Sequence, residues 1–165
     1  MFLSASFHMS TPSDREIQVT RDFDARRHLV FDAFTKPELV RRWLLGPPGW
    51  SMPLCEIALC VGGSYRYVWH SEKDGSQMAV GGKFRDVTPL ERLVCSERFD
   101  DAWYPGEAEV TTAFAETNGI TRTTITIRYE TREARATARR SGMERGMAAG
   151  YARLETLLPT FIGGY

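Results

Sequence analysis

Between residues 15 and 130 apolar side chains recur mostly at every second position, a period that suits strands with one buried face and little else. Glu16-Ile17-Gln18-Val19-Thr20-Arg21-Asp22-Phe23 is the first such run. Six more strands are predicted near 51–60, 63–71, 77–87, 92–100, 107–117 and 120–130. Asp74-Gly75, Thr88-Pro89, Pro105-Gly106 and Asn118-Gly119 punctuate them. Asn-Gly between two alternating runs signals a tight hairpin, because both residues accept the positive φ of a type I′ turn. Seven strands with short connections imply an antiparallel meander, and no internal repeat interrupts it.

Two regions leave that period. His28-Leu29-Val30-Phe31-Asp32-Ala33-Phe34 shifts toward spacings of three and four, which predicts a short helix broken near Lys36-Pro37. A second short helix follows from Glu38 to Leu44, with Pro37 in its first turn, until Gly46-Pro47-Pro48-Gly49 stops regular structure. In the last 35 residues Met143, Met147, Tyr151, Leu154, Leu158 and Phe161 form an apolar stripe on one helix face. Ser141-Gly142-Met143-Glu144 offers a capping box at its start, and the Ala/Arg-rich stretch 132–140 suits a preceding helical turn or two. The expected architecture is α+β: strand, two short helices, six strands, then one long helix that buries the sheet's apolar face.

At 165 residues and 18.7 kDa the chain fits one domain. We assign it to residues 14–165 and treat 1–13 as a flexible leader that the fold does not need. Basic and acidic groups balance at 21 each, so no global field attracts nucleic acid or an anionic membrane. Only Lys36, Lys73 and Lys83 among the basic residues are lysines, which reflects genome composition first. Cys55, Cys60 and Cys95 are odd in number and form no C-x-x-C, which fits buried, reduced thiols in a cytoplasmic protein. No run of about 18 apolar residues is present to span a membrane.

Aromatics are the generous item. Tyr65, Tyr67 and Trp69 share one strand face, and their polar tips suit the wall of a cavity as well as an aromatic core with its tips at the rim. Met78, Val80 and Phe84 follow on the next strand, then Val110, Thr112 and Phe114, then Ile125, Ile127 and Tyr129. This mixed lining suits a small-molecule cleft or an imperfect core. Phe99 belongs with them, and Trp43, Trp50, Trp103 and Tyr104 lie in or beside loops, to fringe a cavity mouth or cap the ends of the sheet. Gly142, Gly146 and Gly150 form a ridge beside Met143, Met147 and Tyr151. Each interior glycine costs about 1 kcal/mol of helix stability relative to alanine. Either close approach of helix to sheet or room for a bound molecule would offset that cost.

Catalytic constellations are thin. His8, His28 and His70 make no metal pair, and no Cys/His cluster has ligand spacing. Gly62-Gly63 and Gly81-Gly82 lack what a phosphate loop needs and mark bends or bulges. His70 beside Glu72 and Asp74 offers a general base only at a polar hairpin end. Arg132, Arg135, Arg139 and Arg140 read as a solvated helical face. We assign no catalytic residue, no metal and no cofactor.

Several strings carry a family resemblance. Phe31-Asp32-Ala33-Phe34-Thr35-Lys36-Pro37-Glu38, closing on Trp43, resembles a V-F-x-A-x-T-x-P-E-x-x-x-x-W segment. Val61-Gly62-Gly63-Ser64-Tyr65-Arg66 is similar to P-G-G-x-Y-R, with Val61 where proline is usual. Lys83 through Val94 looks like G-x-x-x-E-I-x-P-P-E-R-L-V. Gly142-Met143-Glu144-Arg145-Gly146-Met147 with Tyr151 and Leu154 matches G-M-x-x-G-W…L-x-x-L, with Met147 in place of the tryptophan. These are motifs of the family named after the activator of the heat-shock-protein-90 ATPase, within the START-like, helix-grip superfamily.

The resemblance implies a seven-stranded curved antiparallel sheet gripping a long C-terminal helix, two short helices after the first strand, and a cavity between sheet and helix. It leaves function open among lipid and polyketide binders, cyclases and co-chaperones. Our expectation is a binder of a small hydrophobic ligand, held by Trp43, Tyr65, Tyr67, Trp69, Met78, Phe84, Phe99, Trp103, Phe114, Tyr129, Met143, Met147 and Tyr151. A stress-related co-chaperone-like module and a polyketide cyclase-like enzyme are the alternatives. The enzyme would require an acid or base inside the cavity. A homodimer and a chaperone partner are both compatible with the sequence.

Overall fold

The computed structural model of the protein describes residues 6–102 and 104–161. Its strands are β1 (His8–Ser10), β2 (Glu16–Phe23), β3 (Trp50–Ile57), β4 (Ser64–Ser71), β5 (Gln77–Thr88), β6 (Arg92–Phe99), β7 (Ala108–Thr117) and β8 (Ile120–Arg128). Helices α1 (Arg27–Thr35) and α2 (Pro37–Trp43) follow β2, while α3 (Arg132–Arg139) and α4 (Met143–Phe161) end the chain. The strands make one antiparallel sheet in the order β1-β2-β8-β7-β6-β5-β4-β3. From β3 to β8 every neighbour in sequence is a neighbour in space. The helix pair α1–α2 carries the chain from β2 to the opposite edge. This is the helix-grip arrangement.

Local chemistry explains the breaks. Asn118 and Gly119 adopt φ of 53° and 79° between the paired ends Thr117 and Ile120, as a type I′ turn requires. Pro37 opens α2, where its missing N–H costs nothing. Register shifts between Ser51 and Leu54 and between Phe84 and Asp86 mark irregularities that bend the sheet.

Three expectations need correction. The sheet has eight strands, because His8–Ser10 pairs with Gln18–Thr20 instead of fraying as part of a leader. Phe7 and Met9 also pack against the core, with the Phe7 ring 6.1 Å from that of Tyr151. A short apolar segment beside an open strand edge gains both hydrogen bonds and burial, which the bare sequence of residues 6–10 did not advertise. Ser141 forms no capping box, since its hydroxyl donates to the Ala138 carbonyl at the end of α3, and Glu144 pairs with Arg139. Of the thiols, Cys55 is buried, Cys95 half-buried and Cys60 exposed beyond the end of β3.

The inner face of the sheet packs under the helices in two clusters. Ile17, Val19 and Phe23 of β2 meet Leu154 and Leu158 of α4, all fully buried, at about 1.5–3 kcal/mol per side chain. Val40 of α2 sits with Met52, Cys55, Trp69 and Val80. Leu44, Ile57, Tyr67 and Phe99 border both clusters and are only partly buried. The sheet is therefore not filled from edge to edge. Among the described residues no helix is long and apolar enough to cross a membrane.

Candidate functional site

Between the two clusters lies a partly enclosed cavity of about 290 Å³, at the lower end of the ~300–1,000 Å³ typical of small-molecule sites. Its walls follow from strand alternation. β4 contributes Tyr65, Tyr67 and Trp69, β5 contributes Val80 and Phe84, and β6 contributes Leu93, Cys95, Glu97 and Phe99. Val110 and Thr112 of β7 and Ile125 and Ile127 of β8 continue the wall to Tyr129. Phe34 of α1 and Met143 and Met147 from the first turns of α4 face them. Below those turns, Tyr151, Leu154, Leu158 and Phe161 are buried against the core. One half of α4 packs tightly while the other roofs an open space.

Most polar tips in the wall are already engaged. Tyr65 donates its hydroxyl to the Ser96 carbonyl at 2.7 Å, and Trp69 donates its indole N–H to the Leu44 carbonyl at 2.7 Å. Tyr65 stands directly opposite Gly82 and reaches β6 across it. A Cβ on Gly82 would overlap the Ser96 carbonyl, so a glycine is required at this crossing.

Glu97 is the one acidic side chain among the described residues of the wall. In phase with Leu93, Cys95 and Phe99, it presents a carboxyl group to an apolar wall. Its Oε1 accepts from the Tyr104 hydroxyl at 3.4 Å, and Oε2 hydrogen-bonds none of the described residues. Burial pushes this carboxyl up to about 7, with the Tyr104 hydrogen bond pulling weakly the other way. Tyr104, only 3 % exposed, stacks edge-on against Tyr129 at 5.1 Å and lies 6.4 Å from the Phe99 ring. Desolvation also drives Cys95 up to about 12 and holds the Tyr65, Tyr67, Tyr104 and Tyr129 hydroxyls well above their ordinary range. Among the described residues no lysine, arginine or histidine lines the cavity.

Of the residues predicted for ligand contact, Tyr65, Tyr67, Trp69, Phe84, Phe99, Tyr129, Met143 and Met147 line this space. Trp43, Phe114 and Tyr151 do not. They form an aromatic layer behind Phe34, whose ring lies 4.9, 5.4 and 6.3 Å from theirs, and the Trp43 indole donates to the Ala33 carbonyl. Met78 pairs with Trp69 at the sheet's end, beyond the cover of the helices, and is 37 % exposed. Trp103 lies outside the described residues. Glu97 and Phe34 were missed as wall residues, and Tyr104, offered as a fringe of the cavity mouth or a cap on the sheet's end, is a buried part of the wall. The signal for Glu97 was present, a single charge in step with an apolar strand face.

Elsewhere the chemistry is thin. His70 is absent from the cavity wall. Among the described residues no three His, Cys, Asp or Glu side chains are grouped to hold a metal. An open groove of about 1270 Å³ runs over β4–β6 near Gly81 and Gly82, and charged side chains rim it, among them the pairs Arg66 with Asp100 and Arg85 with Glu107. It offers a ligand no apolar enclosure.

Sheet, gripping helix and inner cavity define a protein of the START-like, helix-grip class. Residues 24–159 match the model of the family described as "Activator of Hsp90 ATPase homolog 1-like protein", and the chain belongs to that family. A crystal structure of a Rhodobacter sphaeroides protein is 28% identical and superposes with a TM-score of 0.87, covering 93% of this chain and 98% of the other. A Staphylococcus epidermidis protein solved by NMR is 26% identical, with a TM-score of 0.77 and 94% of each chain covered. An AHSA1-like protein from Aeromonas hydrophila, 23% identical over 84% of this chain and 92% of its own, shares the fold with a TM-score of 0.66. No curated protein matches the sequence.

Proposed function

We propose that the protein binds a small hydrophobic ligand in the cavity between its sheet and α4. One observation carries this reading: the strand faces that elsewhere pack solidly leave about 290 Å³ open beneath Met143 and Met147. An empty apolar space forfeits dispersion contacts and costs on the order of 20–25 cal/mol per Å³, so a guest that fills it recovers stability. Methionines suit the roof of such a space because their unbranched chains adapt to irregular shapes.

The test is an amide-shift NMR titration with 1-ethylnaphthalene, a neutral probe of bicyclic size. Saturable shifts confined to the cavity wall, at Tyr67, Val110, Ile127 and Met147, support the reading. Shifts absent up to the probe's solubility, or scattered over the surface, defeat it.

An inward carboxyl at Glu97 supplies the acid that a cyclase-like reading requires. Recovery of bound ligands chemically unchanged favours a binder over an enzyme. The co-chaperone-like reading, with a chaperone as partner, draws on family membership alone.

A further inference from the structure

The cavity is apolar almost throughout, yet among the described residues it holds one acidic group and no basic one. Burying a carboxyl beside tyrosines and aliphatic side chains is costly unless something answers its charge. Among the described residues a single hydroxyl, from Tyr104, hydrogen-bonds Glu97 at Oε1, and Oε2 has no such partner. Around that carboxyl stand the rings of Phe99, Tyr104 and Tyr129. Ring faces and a carboxylate attract the same partner, a cation, and repel the same one, an anion.

The geometry points to a ligand with a protonated amine at one end of a ring-sized apolar body, its ammonium seated on Glu97 between the rings of Phe99, Tyr104 and Tyr129. This rests on the reading of the cavity as a binding site. It adds a selection rule: amines are preferred to neutral molecules of the same shape, and carboxylates are turned away. The titratable groups that face Glu97 are Cys95 of its own strand, Tyr65 and Tyr67 of β4, Tyr104 of the following loop and Tyr129 after β8. Burial holds all five neutral across the physiological range, so among the described residues Glu97 sets the charge of the cavity.

Three probes of one skeleton decide the matter: 2-(1-naphthyl)ethylamine, 1-ethylnaphthalene and 1-naphthylacetic acid, each titrated by NMR at pH 5.5 and pH 8. At pH 8 the amine is expected to bind about ten- to a hundredfold more tightly than the hydrocarbon, the range of one charge-assisted hydrogen bond. The acid is expected to bind weakest. At pH 5.5 Glu97 is protonated while the amine keeps its charge, so the amine's advantage should shrink. E97Q should abolish the advantage at both pH values. If the hydrocarbon binds and the amine binds no better, the amine preference is overturned and the cavity reading stands. If none of the three binds, both fail. Should E97Q not fold, the pH series on the unaltered protein decides, and an amine advantage equal at both pH values overturns the proposal.

Discussion

A carboxyl group held protonated inside a fold stabilises it only while it keeps its proton. Glu97 is raised from 4.5 to about 7, so between those values the folded protein binds a proton that the unfolded chain has released. Stability from this group is therefore complete below pH 4.5 and falls as pH rises through 7, by up to about 3 kcal/mol. Urea unfolding at pH 5 and pH 8 should show that loss, and E97Q should flatten it. A stability that rises over this interval by the same amount would refute the assignment. Gly82 sets a second expectation at this scale. A methyl group there would collide with backbone at Ser96, which cannot yield as a flexible side chain can. Gly82→Ala should cost about 2–3 kcal/mol in urea unfolding. The sequence shows these two features unequally. Glu97 was readable as a polar residue out of place on the Leu93-Cys95-Phe99 face. The need for glycine at 82 depends on how closely the Ser96 backbone of β6 approaches it, and no local pattern records that.

The elements were legible where periodicity and turn chemistry agreed. The predicted limits of β2 and β4 to β8 lie within two residues of those observed, helped by the turns at Asp74-Gly75, Pro89 and Asn118-Gly119 that follow β4, β5 and β7. The glycines of α4 were harder to interpret. Gly150 lies where the helix crosses α2, and a Cβ there would sit 3.4 Å from the Trp43 carbonyl oxygen, a contact with a helix rather than with the sheet. Arg153 fastens the same crossing through the Trp43 and Gly46 carbonyls, at 2.9 and 3.3 Å. Gly146 meets open space, and nothing in the structure explains a glycine there. Gly146→Ala should therefore stabilise the protein by about 0.5–1 kcal/mol, through helix propensity and a stiffer unfolded chain. Gly150→Ala should gain less, because its new methyl must fit against Trp43. Thermal and urea unfolding of the two variants would rank them.

Across the whole molecule, the architecture followed from the order of elements, but the division between core and cavity did not. Trp43, Phe114 and Tyr151 have the same aromatic character as Tyr67 and Tyr129, yet they are buried where α1, α2 and the lower half of α4 pack together, while the upper half of α4 spans the rest. Which aromatic stays dry depends on how far a helix stands off the sheet. That distance is a sum over many contacts, among them the Arg21–Glu155 pair at 3.0 Å that ties α4 to β2. Met147→Trp should put bulk into the open half. Binding of 1-ethylnaphthalene is then expected to weaken at least tenfold while far-ultraviolet circular dichroism stays unchanged; undiminished binding would place the probe elsewhere.

The phenol of Tyr65 rivets three strands together, passing over Gly82 to end on Ser96. Sliding β5 by two positions would keep its inward face inward but put Val80 or Phe84 under that ring, where neither leaves room. The breadth of the chamber is thus locked by a single absent methyl group, and a guest meets walls whose spacing was settled when the sheet first zipped.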